Sequence, residues 1–290
     1  MKYRVSHTTT YTYARPVDLA SHMLHLSPRS FTGQNVLSAT LEATPAPSRS
    51  NAARDHFGNH VAWMFLDRRH ASFVVTVTAE VEVNFPPPPP TADTLPWEAV
   101  AALAAAGGPG AWEAAEFAFD SPMIPPEPAA LTYASPSFPP GRPILEALLE
   151  LTARIRREFS FKAGVTGVNT PVSRVLAQRA GVCQDFTHLM IAALRAHGLP
   201  ARYMSGYLRT KPPPGVTPHR GADQSHAWVG PWLGPEHGWV GLDPTNDLVV
   251  QNEHVVLAWG RDYGDISPVR GVILGGGRHS VAVGVDLEAL

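Results

Sequence analysis

The sequence predicts an α+β protein in which an antiparallel, sandwich-like β-domain precedes a unit built from helices and a few short strands. Three observations carry this expectation. Residues up to about 85 show period-two patterning, the chain switches to helical spacing from Pro143, and strand-like runs return after the last helix. The expected division is 1–90 for the β-domain, 91–140 for a connecting segment and 141–290 for the unit that bears the chemistry.

In the first region Val61-Ala62-Trp63-Met64-Phe65-Leu66 is a short apolar run, and Phe73 to Val83 alternates strictly. Ser27-Pro28-Arg29 and Asp55-His56-Phe57-Gly58-Asn59 supply turn chemistry between strands. Five prolines, Pro86 to Pro90, then stop the sheet, because proline cannot donate to a ladder. They read as a stiff linker in preference to a ligand for a proline-recognising module. Residues 91–140 are rich in alanine, proline and glycine, with one helical candidate from Trp97 to Ala106, and are expected to pack on the surface.

Beyond this segment Ile144, Leu148, Leu151 and Ile155 recur at spacings of four and three, with Pro143 placed as a first helical residue. A second helix is expected with Thr170 capping, Pro171 at its start and Gly181 ending it. A third carries the stripe Phe186, Leu189, Met190, Ala193 and Leu194, and Gly198 with Pro200 terminates it.

Composition bounds the function. Of the 290 residues 44% are apolar and 17% charged, which suits a folded protein, and a formal charge of −2 gives no reason to expect nucleic acid or an anionic membrane as partner. No run approaches the roughly 20 apolar residues of a membrane span, and the N-terminal residues lack the apolar core of a signal peptide. A cytoplasmic location is therefore expected. A single cysteine excludes an intramolecular disulfide and a zinc site built on two cysteines. The thirteen histidines show no His-Glu-x-x-His spacing, so neither a metal nor any other cofactor is expected. Gly275-Gly276-Gly277 lacks the lysine and hydroxyl residue of a phosphate loop and reads as a tight turn.

A lone cysteine is ordinarily a small buried hydrophobe. Cys183, however, stands at the start of the third helix, where unpaired N–H groups and the helix dipole favour a thiolate and can receive an oxyanion. Downstream, His226 lies at the mouth of a strand in Ser225-His226-Ala227-Trp228-Val229. A second strand, Gly238-Trp239-Val240-Gly241-Leu242, leads into Asp243-Pro244-Thr245-Asn246. Pairing these strands as a hairpin sets Asp243 beside His226 in one register, where a carboxylate orients an imidazole.

Gly-Val-Cys-Gln-Asp-Phe at 181–186, Ser-His-Ala-Trp-Val at 225–229 and Gly-Trp-Val-Gly-Leu-Asp-Pro-Thr-Asn at 238–246 together resemble the transglutaminase-like superfamily, in its bacterial branch of candidate cysteine proteases. Gly260-Arg261-Asp262-Tyr263-Gly264-Asp265 and the turn at 275–279 extend the likeness. Tyr11, Tyr13, Pro16 and the 55–59 turn resemble that branch's N-terminal β-domain. The resemblance implies a papain-like core with Cys183, His226 and Asp243 as a triad, acting on a peptide or protein amide through a thioester. Hydrolysis is the first expectation, amine transfer the close rival, and a non-catalytic scaffold using the β-domain the reading from another class.

Other residues near these motifs have plainer expectations. Asp185 suits first-turn stabilisation better than catalysis, and His188 lies on a different helix face from Cys183. Gln184 is a candidate for the oxyanion or for packing. Trp228 is a candidate cleft wall, while Trp232, Trp239 and Trp259 suit the core.

Overall fold

The first strand frames the molecule. In a computed structural model that describes residues 1–209 and 224–290, β1 (Lys2–Leu24) runs for 23 residues. Next come β2 (Gln34–Thr44), β3 (Arg49–Arg54), β4 (His60–Leu66) and β5 (His70–Val83). The first half of β1 pairs with β5, and its last five residues pair with β4. The changeover falls at a register break between Thr12 and Val17, where Pro16 cannot donate. The alternation of β5 is real: Phe73, Val75, Val77, Ala79, Val81 and Val83 are all buried.

From residue 91 to 140 the chain forms α1 (Trp97–Ala106), α2 (Trp112–Ala115) and α3 (Pro128–Ala134). This segment does more than cover the surface. Val100, Ala104, Ala130 and Ala134 are buried in the main core beside Leu148 and Leu194. Small alanines let these short helices approach closely, which corrects the expectation of a surface connection. The next elements are α4 (Ile144–Glu158), β6 (Ser160–Phe161), α5 (Val172–Gln178), β7 (Ala180–Gly181) and α6 (Cys183–Ala196). Pro143 and Pro171 each stand one residue before their helix. α5 ends on Arg179 in the left-handed region, φ 50°, and not at Gly181.

A five-stranded antiparallel sheet completes this unit. Its strands are β8 (Ala201–Leu208), β9 (Gln224–Pro231), β10 (Leu242–Asp243), β11 (Leu248–Val249) and β12 (His254–Gly260), in the order β11-β10-β9-β8-β12. The expected strand at 238–242 shrinks to a bridge between Trp232 and Trp239 plus the two residues of β10.

The last two strands, β13 (Val269–Gly275) and β14 (His279–Ala289), pair with β1 and not with the five-stranded sheet. The unit expected at 141–290 therefore gives up its final residues to the N-terminal sheet. The intervening turn uses Gly275, Gly276 and Gly277, all at positive φ.

Two amide side chains join the units. Gln34 donates to Val256 O and accepts from Val256 N, both at 2.8 Å. Asn59 donates to Trp259 O at 2.8 Å and accepts from Trp259 N at 2.9 Å. β12 is an edge strand interrupted by a bulge between Val256 and Ala258. The two amides thus satisfy the edge much as a neighbouring strand would. Asn59 is itself held by Asp55, whose carboxylate accepts from its backbone and side-chain nitrogens.

Candidate active site

The approach to Cys183 is shaped by Asp185. Its Oδ2 accepts from Val182 N and from Thr166 Oγ1, each at 2.7 Å, which ties down the residue before the helix. A Cβ on Gly181 would lie 2.7 Å from that carboxylate oxygen, so glycine is what lets the carboxylate fold back here. Asp185 thus fills the structural role expected of it. Cys183 follows as the first residue of α6 and is half-buried. The first-turn amides of a helix lack intrahelical acceptors and offer donors to a developing oxyanion.

His226 sits on β9 and Asp243 on β10, strands brought together by the pairing of Leu242 with Val229. His226 Nε2 lies 2.8 Å from Asp243 Oδ2, and both residues are buried. With Nε2 so engaged, Nδ1 is the nitrogen left for Cys183. Burial opposes a charge on His226, yet hydrogen bonding to Asp243 and Cys183, with their charges, outweighs it and raises the imidazole to about 10. Burial likewise opposes ionisation of Asp243, but hydrogen bonds from its neighbours hold it well below the usual carboxylate range.

Two neighbours were not assigned from sequence. Asn246 Nδ2 donates to Asp243 Oδ2 at 2.7 Å, while Thr245 N donates to Oδ1 at 2.9 Å. The Asp-Pro-Thr-Asn turn was the available signal, since an aspartate commonly accepts from the backbone two residues on. His254 of β12 is the second. Its nearer ring nitrogen is 3.6 Å from Asp243 Oδ2, longer than a hydrogen bond, and neither ring nitrogen has a hydrogen-bond partner. His254 belongs to no local motif and reaches Asp243 only through strand order. His226, Asp243 and His254 hold possible ligand atoms within 4.8 Å of one another. Both oxygens of Asp243 are already engaged by hydrogen bonds, however, so the cluster reads as a polar network.

The remaining candidates are placed as follows. Gln184 Nε2 donates to Val168 O at 2.8 Å, so its amide is committed to a neighbouring loop. Trp228 is fully buried. Its ring stacks on His226 at 6.2 Å and meets His254 edge-on at 5.1 Å, so it backs the imidazole. His188 is buried, accepts from Tyr263 N at 3.3 Å, and is lowered to about 4 by desolvation. Among the described residues no helix is long and apolar enough to cross a membrane.

A helix-start thiol, a strand-borne imidazole and a carboxylate on the adjacent strand define a class of protein built for cysteine-based catalysis. The chain belongs to the transglutaminase-like superfamily. Residues 136–244 match the transglutaminase-like superfamily core, and residues 3–82 match the bacterial transglutaminase-like N-terminal region. Over 297 aligned residues it is 41% identical to an uncharacterised protein of Mycobacterium tuberculosis, covering 99% of this chain and 92% of that one. A protein-glutamine gamma-glutamyltransferase of Pseudomonas aeruginosa aligns at 29% identity over 137 residues, 44% of this chain and 20% of that protein. The solved structure of a candidate cysteine protease from Cytophaga hutchinsonii shares the fold, with a TM-score of 0.75 at 23% identity over 100% of this chain and 91% of the other.

Proposed function

We propose that this protein is a cysteine-dependent amidase or peptidase that works through a thioester. The observation that carries the reading is the 2.8 Å pairing of His226 with Asp243, with the Cys183 thiol among the groups that raise the imidazole. Cys183 Sγ attacks the amide carbonyl, and the oxyanion is received by first-turn amides of α6. As the tetrahedral intermediate collapses, the C–N bond breaks and His226 gives its proton to the leaving amine. Water, deprotonated by His226, then attacks the thioester, releasing the carboxylic acid and the free thiol. Asp243 keeps the imidazole oriented and supports its cationic form.

Amine transfer is the second reading, supported by the local similarity to the Pseudomonas aeruginosa glutamyltransferase. The acyl half-reaction is the same, and a primary amine replaces water. Amine release from a peptide-amide library, measured with and without a primary-amine acceptor, separates the two. Hydrolysis yields free acid at an unchanged rate, whereas transfer yields the substituted amide. Cys183→Ala is expected to abolish turnover with an unchanged circular dichroism spectrum. Retained turnover would sink both readings.

A further inference from the structure

A cavity of about 590 Å³ opens between the two units, within the roughly 300–1,000 Å³ range of small-molecule sites. One wall is Phe85 with Pro86 to Pro89, the stiff tract that leaves the N-terminal sheet. The others include Trp228, Trp239 and Trp259. Into this largely apolar enclosure, whose lining also includes Glu236, His237 and Gln251, projects the half-buried Arg202 of β8.

Arg202 is surrounded by rings. Its guanidinium carbon lies 3.6 Å from the ring centre of Trp239, 4.7 Å from that of Trp259 and 4.9 Å from that of Phe117. Such contacts hold a cation in place but do not satisfy its N–H groups. Its Nε is buried without a hydrogen-bond partner among the described residues. The contrast with Arg195 is direct. That side chain spends its nitrogens on Phe117 O, Ser121 Oγ, Ala201 O and Arg261 O. Arg29 stacks 3.3 Å from the centre of Trp259, and its positive charge acts on Arg202. Burial is the main cause lowering Arg202, to about 9, followed by the charge of Arg29, while the charges of Glu113 and Glu116 act the other way. It remains a cation at neutral pH, with five donors in a geometry that matches a carboxylate.

We propose that this cavity binds a small organic acid, its carboxylate paired with Arg202 and its flat or apolar body packed between the tryptophans and the proline wall. The site is separate from the triad chemistry. Trp228 connects them, since this residue is part of the cavity lining and its ring stacks on His226.

Calorimetric titration of the full chain with 2-naphthoate, and in parallel with its neutral counterpart 2-naphthamide, tests the assignment. N-acetylphenylalanine and N-acetylphenylalaninamide form a second pair, which distinguishes a peptide chain end from a free aromatic acid. At least one acid is expected to bind saturably with Kd below about 1 mM and about tenfold more tightly than its amide. Arg202→Met should erase that preference, Arg202→Lys should retain part of it, and Cys183→Ala should leave it unchanged. Unfolding midpoints check that each variant is folded. If Arg202→Met does not fold, the acid-to-amide ratio and Arg202→Lys still decide. Absence of saturable binding by both acids, equal binding of acid and amide, or an unaltered preference in folded Arg202→Met would each overturn the proposal.

Discussion

Asp243 and Arg202 are opposite charges set into one five-stranded sheet, and their surroundings differ in kind. Asp243 is wholly buried and engaged on both oxygens, by His226 and Asn246 on one side and two backbone N–H groups on the other. Arg202 has aromatic faces around it and, among the described residues, no hydrogen-bonded partner for its Nε. Burial disfavours charge at both sites, but hydrogen bonds outweigh it at Asp243, whereas at Arg202 the charges of Glu113 and Glu116 do not. The first site is closed and preorganised. The second has donor capacity left for a molecule from outside.

The comparison breaks most readily at Asp243. Asp243→Asn should lower kcat by roughly 10⁴-fold, as when other triads lose their carboxylate. A titration of His226 by NMR should show its midpoint falling from about 10 as the stabilising charge disappears. Asn246→Ala removes one charge-assisted hydrogen bond, worth about 1.5–3 kcal/mol, and should cost kcat about 10- to 100-fold. An unaltered rate would show that Asn246 is not needed to position the carboxylate.

Stability measurements sharpen the same contrast. Gln34→Ala leaves Val256 without its side-chain partners and should destabilise the fold by about 1–3 kcal/mol in urea titration, with Cys183 still reactive. The His226–Asp243 pair adds a pH dependence. His226 is raised on folding, so its contribution is complete below its unfolded value near 6.5 and is lost as pH climbs through about 10. Asp243 is depressed, so its contribution is complete above its unfolded value near 3.9 and is lost on acidification. The Tm difference between wild type and Asp243→Asn should therefore be greatest between about pH 4 and 6.5 and shrink on both sides. Arg202→Met should move the unfolding midpoint least, because replacing a cation that lacks a hydrogen-bonded partner with an apolar side chain removes a desolvation cost as well as ring contacts.

What the sequence made legible follows from where each signal lies along the chain. Cys183, His226 and Asp243 sit in short contiguous motifs whose residue types report their own chemistry, and β5 announced itself by strict alternation. His254 had no such signal. It meets Asp243 because β12 pairs with β8, a relation that local patterning does not encode. Gln34 and Asn59 were equally silent, since a side-chain amide that pairs with a distant strand leaves no period. The helices of 91–140 were obscured by alanine, which marks helix propensity but not which face is buried. The terminal strands alternate well enough to be strands, yet alternation does not say which sheet receives them.

The placement of β13 and β14 on β1 has a consequence for how the protein is made. β1 is synthesised well before its partner β14, which pairs Tyr3 with Ala289. Until β14 has been made, one flank of the longest strand therefore lacks its partner. A truncated or stalled chain presents that bare flank to its neighbours, so premature termination should yield aggregates rather than a functioning half-protein.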